Sequence, residues 1–526
     1  MNINDFSLLK LMNFNVLGKC FKLISGSLLR MKLMVQSKSN NILKDYVYSK
    51  DPNYKWTLNT TYDVGFANIQ VIELVSQQWM KDYTNSSIWK HWVSVCIPKA
   101  PTQTKMGLLY VTGGAYNSKE WVVPSQESLE ADFGQQVCKE SNAITVTVNQ
   151  VPNQYITFDD GVARDEDYIV AYSWRKYIDT QVSTWVSLLP QTKSVIKAMD
   201  AVQEYGNENG VIIESFVVFG ASKRGWTTYG VAMVGDERVA AIVPMVIGVL
   251  NLVDDIKVQM QTYGNWSFAL DPYAINGIPS FVDTEYFNVV TDIVDPLNYI
   301  DIMEKIPKYI ILTIEDEFFL PDSTKFFYDQ IKGEKRLGLF QTDHSVTQFA
   351  GVSTEISKYF NIIVNKVESP ELSWKITYSK DNSLGTIEMT VVKGTPTRVV
   401  VYSVNTISKT HRDFRKFTCS DYANCYQAFT YSAQNITLES DNTYSVSIKG
   451  PDGGGWTAFY FEVEFGDVAN VNTELAIVPN TFPFPECSSE ICASGVPEWV
   501  INSANSVTKT NLLVLSLTIL IYFILI

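Results

Sequence analysis

At 526 residues, 46% of them hydrophobic, the chain is too long for one compact core, so two folded domains are the default expectation. Its 42 basic and 56 acidic residues give a net charge of −14, which excludes a nucleic-acid partner, because that would need a basic face to displace counterions. With three histidines and no C-x-x-C spacing among seven cysteines, zinc is disfavoured, and no residue set points to a cofactor.

Residues 1–44 are basic and leucine-rich, with charges interrupting every apolar stretch, so they read as a divergent signal, an amphipathic targeting segment or an upstream extension. The globular part begins near Tyr46. FANIQVIELVSQQW, WKHWVSVCIPK, MGLLYVTGGAYN and NAITVTVNQ read as four strands, the third ending in Thr112-Gly113-Gly114-Ala115. Glycines there allow backbone amides, Gly114 and Ala115 first, to approach a substrate oxygen; an ordinary glycine turn is the alternative.

Residues 165–205 read as helical, with Val195, Met199 and Val202 on one face and Lys193, Lys197 and Glu204 toward solvent. The stretch FVVFGASKRGWTTYGVAMVG, Phe216 to Gly235, then reads as strand, tight turn and helix. Such an elbow thrusts its serine above the sheet, making Ser222 the candidate nucleophile and the amide of Lys223 a candidate oxyanion donor. A glycine turn with a helix-capping serine would carry the same residues. Arg224 stands where many elbows have their second glycine, and Gly225 follows one place later.

VAAIVPMVIGVL continues the strand-helix alternation, so a mostly parallel sheet with helices on both faces is expected. The aromatic stretch 255–300, broken by Gly and Pro, reads as a lid or as packing over the sheet edge. PKYIILTIEDEFFLPDS is a strand followed by an acidic turn. Asp316 is the best-placed histidine-orienting carboxylate, with Asp322 and Glu315 as alternates. LGLF reads as the last strand, and His344 follows it as the general base. The order Ser222, Asp316, His344 is that of an α/β-hydrolase triad.

Beyond Pro370 the pattern changes to short alternating strands, with Ile387, Met389 and Val391 facing one way, and Phe459, Phe461, Val463 and Phe465 doing likewise. Residues 371–467 therefore read as a small β-sandwich after an α/β-hydrolase-like domain at 45–370. A polar stalk at 468–511 precedes the uncharged run 512–526. That run is short for a membrane span but suits a tail removed on GPI attachment at Asn502, Ser503 or Ala504, with a short tail anchor as the alternative. Either would place the protein in the secretory pathway and on the extracellular face of the plasma membrane, with a soluble secreted form as the alternative. Cys419 with Cys425 and Cys487 with Cys492 are candidate small disulfide loops, and Asn59, Asn85, Asn265 and Asn435 are candidate glycosylation sites.

Taken together, LLPQTKSVIKAMDAVQ, FGASKRGWTT, DEFFLPDS, HRDFR and GWTAFYFEVEF make the chain resemble the PhoPQ-activated pathogenicity-related protein family over about Leu43 to Asp467. The resemblance implies a hydrolase-like domain followed by a β-rich one, usually exported. Its GASKRGWT motif falls on Gly220 to Thr227, its DEFFLPDS motif on Asp316 to Ser323, and its histidine on His344. The expected activity is hydrolysis of an acyl ester or peptide. The alternative the resemblance implies is an extracellular signal that restrains cell proliferation through a cell-surface receptor, with the hydrolase fold as a binding scaffold. The segment His411–Arg415 is expected to form a structural ion-pair network.

Overall fold

The computed structural model describes residues 42–102, 105–115, 121–437, 441–487 and 492. Asn502, Ser503 and Ala504, the run 512–526 and nearly all of the N-terminal segment lie outside the described residues. Among the described residues no helix is long and apolar enough to cross a membrane.

The first domain is built on nine strands: β1 (Lys55–Asp63), β2 (Ala67–Gln78), β3 (Ile88–Pro98), β4 (Met106–Val111), β5 (Thr145–Val148), β8 (Ser215–Ala221), β9 (Val239–Met245), β10 (Lys308–Thr313) and β11 (Lys335–Phe340). A separate small hairpin joins β6 (Ile156–Thr157) to β7 (Ala163–Arg164). The sheet order is β1-β2-β3-β5-β4-β8-β9-β10-β11. β1, β2, β3 and β5 pair antiparallel; from β5 onward every pair is parallel. This is the α/β-hydrolase arrangement with β1 added at the edge. β1 escaped the sequence reading because KWTLNTTYD is mostly exposed and carries little apolar alternation.

The central strands are mostly apolar and buried along nearly their whole length because both faces are covered. In β8, Phe216 and Val218 face one side, packing with the helices Leu188–Asn209 and Lys223–Met233. Val217 and Phe219 face the other, under the helices Phe133–Ser141 and Val352–Asn365. One helical expectation fails at Lys193, which is only 2% exposed. Its ammonium turns inward and donates to the carbonyls of Tyr46 and Ser49 at 3.4 and 2.8 Å, satisfying the end of the N-terminal helix.

The second domain comprises β12 (Glu371–Tyr378), β13 (Leu384–Lys393), β14 (Arg398–Asn405), β15 (Tyr431–Ile436), β16 (Thr443–Lys449), β17 (Thr457–Glu464), β18 (Asn470–Asn472) and β19 (Ala476–Val478). One sheet runs β12-β13-β16; the other runs β15-β14-β17-β18, with β19 also on β17. Ile387, Met389, Val391, Phe459, Phe461 and Val463 fill the space between them. The sheet continues past residue 467 through β18 and β19, so the last ladder strands occupy the start of the expected stalk. Farther along, the Trp266 indole donates to the carbonyl of Cys492 at 2.8 Å, which ties that segment to the first domain.

Cys419 pairs with Cys425 and Cys487 with Cys492. A third disulfide, Cys96–Cys138, joins β3 to the helix Phe133–Ser141; partners 42 residues apart leave no local spacing to read. Asn59, Asn85, Asn265 and Asn435 are all exposed.

Candidate active site

In the parallel part of the sheet, successive strands end at one rim, because Ala221 pairs with Met245, Ile311 with Met245, and Thr313 with Phe340. Ser222 follows β8, Asp316 follows β10, and His344 follows β11. Asp316 and His344 are thereby brought into hydrogen-bond contact, whereas no hydrogen bond joins Ser222 to His344 among the described residues.

Ser222 has φ 58° and ψ −132°, a conformation that costs a residue with a Cβ about 1–3 kcal/mol. The turn is held by the Ser222 amide donating to Met245 O and the Trp226 amide donating to Ser222 O, both at 2.9 Å. Close packing needs glycine on either side. A Cβ at Gly220 would meet Arg224 O at 2.8 Å, and one at Gly225 would meet Met245 O at 2.8 Å. Gly225 thus does the close-approach work one position later than in the commoner spacing. The Lys223 amide, at the first helical position, has no intrahelical partner and is free to donate.

Asp316 is 2% exposed. It accepts the amides of Phe318 and Phe319 at 2.7 and 3.2 Å and the Thr313 hydroxyl at 3.1 Å. His344 Nδ1 lies 3.0 and 2.9 Å from its two oxygens. A carboxylate oxygen accepts, so Nδ1 carries the proton, leaving Nε2 as the basic nitrogen. That Nε2 is buried and has no hydrogen-bond partner among the described residues. The Phe318 ring lies against the imidazole, tilted by 36° with centroids 4.3 Å apart.

The alternate acids have other partners. Asp322 accepts from the two terminal guanidinium nitrogens of Arg412 at 3.1 and 2.6 Å, and Glu315 accepts the Tyr431 hydroxyl at 3.0 Å. Arg415 pairs with Asp413 at 2.7 Å and lies 3.9 Å above the Tyr263 ring. His411–Arg415 thus supplies two ion pairs, one of which reaches into the first domain. Lys416 adds a third across the same boundary, to Asp343 at 2.9 Å. Of the other histidines, His91 is buried between Ser76 Oγ and Asn149 O, and His411 sits beside Ser408 and Thr410.

Two cavities meet at this rim. An apolar one is lined by Ser222, Lys223 and Phe318, and the segment 255–300 supplies much of its wall. A wider, acidic cleft is lined by His344, Glu317 and Phe318. Gly114, with φ 115°, and Ala115 follow β4, the neighbour of β8, but line neither cavity. Their loop has a different evident task. A Cβ at Gly113 would overlap the Arg224 guanidinium, which crosses the loop to donate to Val151 O at 2.5 Å and to both oxygens of Glu166 at 2.6 Å. Lys223 lies 2.7 Å from Glu166 and 2.9 Å from Asp167. Burial opposes ionisation of Glu166, but the Lys223 and Arg224 charges outweigh it and hold that carboxyl well below its usual range. The two cations beside the nucleophile are therefore internally neutralised.

Sequence reasoning missed Glu166, Asp167, Asp255, Glu317 and Phe318. Only Glu317 and Phe318 had a signal, as members of the acidic turn already singled out.

Among solved structures, acetyl xylan esterase 1 from Thermoanaerobacterium sp. JW/SL YS485 is 14% identical, covering 59% of this chain and 88% of its own with a TM-score of 0.36. An acetyl xylan esterase from Paenibacillus sp. R4 is 15% identical, covering 62% and 92% with a TM-score of 0.40. Both likenesses are too slight to bear on the site. Autocrine proliferation repressor protein A of Dictyostelium discoideum is 39% identical over 480 residues, 88% of this chain and 95% of that protein. The model of the PhoPQ-activated pathogenicity-related proteins matches residues 43–415, which include the elbow, the acidic turn and His344. With that match and that relative, the chain belongs to the PhoPQ-activated pathogenicity-related protein family.

Proposed function

We propose that the protein is an exported serine hydrolase that transfers an acyl group from an ester or peptide to water. The observation that carries this reading is the state of His344: Nδ1 is held by both oxygens of Asp316 while Nε2 is buried without a partner among the described residues. A neutral imidazole so held is a base with one free direction. Ser222 Oγ attacks the acyl carbonyl, and Nε2 takes the serine proton and returns it to the leaving group. Water then attacks the acyl-enzyme, gives its proton to Nε2, and the acid departs as Ser222 is reprotonated. The Lys223 amide donates to the oxyanion.

Fluorophosphonate labelling of the purified protein tests this. Wild type should label, whereas Ser222→Ala and His344→Ala should not. A folded wild type that stays unlabelled overturns the reading.

Export is supported by the fully buried Cys96–Cys138 disulfide, which suits an oxidising compartment, and by four exposed sequons. Surface attachment through GPI at Asn502, Ser503 or Ala504, or through residues 512–526 as a tail anchor, belongs to the same proposal. Phospholipase release from intact cells distinguishes the two.

The 39% identical relative, named as an autocrine proliferation repressor, favours a second reading. Here the protein signals through a cell-surface receptor and restrains proliferation. Purified protein added to the cells that produce it should lower cell number. An equal effect from Ser222→Ala would assign the response to the folded surface rather than to catalysis, and no effect from either would sink it.

A further inference from the structure

The cavity beside Ser222 is walled by Trp174, Trp226, Trp266, Tyr273, Phe318 and Phe319. Three charged side chains reach it: Asp167, Lys223 and Asp255. Asp167 and Lys223 are closed on one another at 2.9 Å, and the Tyr273 hydroxyl donates to Asp167 at 3.0 Å. The Gln259 amide and two of the three wall indoles are committed too. Gln259 donates to Phe318 O at 2.6 Å and accepts the Ser267 amide at 3.4 Å. The indoles of Trp226 and Trp266 donate to the carbonyls of Val294 and Cys492 at 2.6 and 2.8 Å.

Asp255 is the exception. It is 3% exposed, its Oδ1 accepts the Ser323 hydroxyl at 2.6 Å, and its Oδ2 takes no hydrogen bond among the described residues. Behind it, Lys325 is engaged with Asp322 at 2.7 Å, and Arg412 shares that same carboxylate. A carboxylate with a free oxygen among aromatic walls is costly unless a cation meets it, and the ring faces themselves attract cations. Burial raises the Asp255 carboxyl to about 7, with the charges of Asp322 and Asp316 adding to it, while the Ser323 hydrogen bond and the Lys325 charge pull the other way.

We propose that this cavity binds a small cationic amine, an alkyl- or arylammonium group held between the aromatic faces and the free oxygen of Asp255. Its place in a substrate rests on the reading of Ser222 as nucleophile: the amine then belongs to the acyl side, as in an aminoacyl ester or the N-terminal residue of a peptide. Binding of the amine itself does not depend on catalysis.

Calorimetric titration of the full chain with n-butylammonium and with 1-butanol at mildly alkaline pH tests the proposal. Wild type should prefer the ammonium by about tenfold or more, a gap of roughly 1.4 kcal/mol. Asp255→Asn keeps an acceptor for Ser323 but removes the charge, and should bind both ligands equally. Ser323→Ala keeps the charge and should retain the preference, which separates recognition from a structural role of the Asp255–Ser323 bond. Equal affinity in wild type, or a preference that survives in Asp255→Asn, overturns the proposal. Fluorophosphonate labelling reads the other claim independently. Ser222 that labels in a protein with no ammonium preference leaves hydrolysis standing and removes this inference. Ammonium preference in a protein that does not label supports the amine site and removes hydrolysis.

Discussion

Asp316 presents both carboxylate oxygens to Nδ1 of His344, at 3.0 and 2.9 Å, and with the same carboxylate accepts the amides of Phe318 and Phe319. One side chain therefore sets both the tautomer of the base and the shape of the turn that places the aromatic wall. Asp316→Asn separates these tasks. Its carbonyl still accepts a turn amide, but its NH2 cannot accept Nδ1–H, so the imidazole moves its proton to Nε2 and loses its basicity toward Ser222. Fluorophosphonate labelling should slow by about 10⁴-fold with little change in melting temperature. A rate within tenfold of wild type would remove Asp316 from the site.

The rim of this site was legible in the sequence because each of its residues follows a strand carrying a continuous apolar run, FVVFGA, YIIL or LGLF. In a parallel sheet, strand ends converge without further information. What could not be read was lateral. Glu166 reaches Arg224 across 58 positions, and Arg412 reaches Asp322 across 90, with nothing local to mark either pair. Lys193 was misread because helical spacing tells which residues share a face but not that a second helix end covers one of them. The β-sandwich was visible through alternation at Ile387, Met389 and Val391, while β18 and β19, of three residues each, are too short for a period-two signal.

Glu317 gives stability a pH dependence of predictable sign. It is 6% exposed, Oε2 accepts the His344 amide at 3.2 Å, and Oε1 is buried without a partner among the described residues. Burial first, and the neighbouring Asp316 second, push its carboxyl up to about 7. The folded protein thus keeps a proton that the unfolded chain has released, and stability falls as pH rises from the ordinary glutamate range through about 7. Asp255, at about 7, and Asp295, at about 6, add slopes of the same sign. Glu317→Gln cannot titrate, so its loss of stability between about pH 5 and about pH 8 should be smaller than that of wild type by roughly 2 kcal/mol. Denaturant unfolding at both pH values measures this, and parallel pH profiles would refute it.

Gly113 and Arg224 are coupled by space alone. A Cβ at Gly113 overlaps the guanidinium, whose fork on Glu166 is largely buried. Gly113→Ala should displace Arg224 and cost about 1–3 kcal/mol. In an Arg224→Met background the same substitution should cost less than about 1 kcal/mol, giving a coupling energy in the double-mutant cycle. Additive effects would mean that the loop needs glycine for some reason other than Arg224.

The Cys96–Cys138 bond closes a chain segment with a sequence separation of 42, containing all of β4 and ending in the helix that leads into β5. Cross-linking a loop of this length removes unfolded-state entropy worth about 4 kcal/mol in the chain-entropy model. Both cysteines are fully buried, so serine would strand a hydroxyl in the core and alanine is the fair replacement. The double variant Cys96→Ala/Cys138→Ala should lose about 2–4 kcal/mol against urea yet still label with fluorophosphonate, because neither sulfur approaches the rim of β8, β10 and β11. In wild type, a reducing agent should expose the pair to alkylation only once the protein unfolds, whereas Cys419 and Cys425, on the surface of the second domain, should react in the native state. A loss below about 1 kcal/mol, or equal reactivity of both pairs in the native protein, would show that the bond does not brace the sheet.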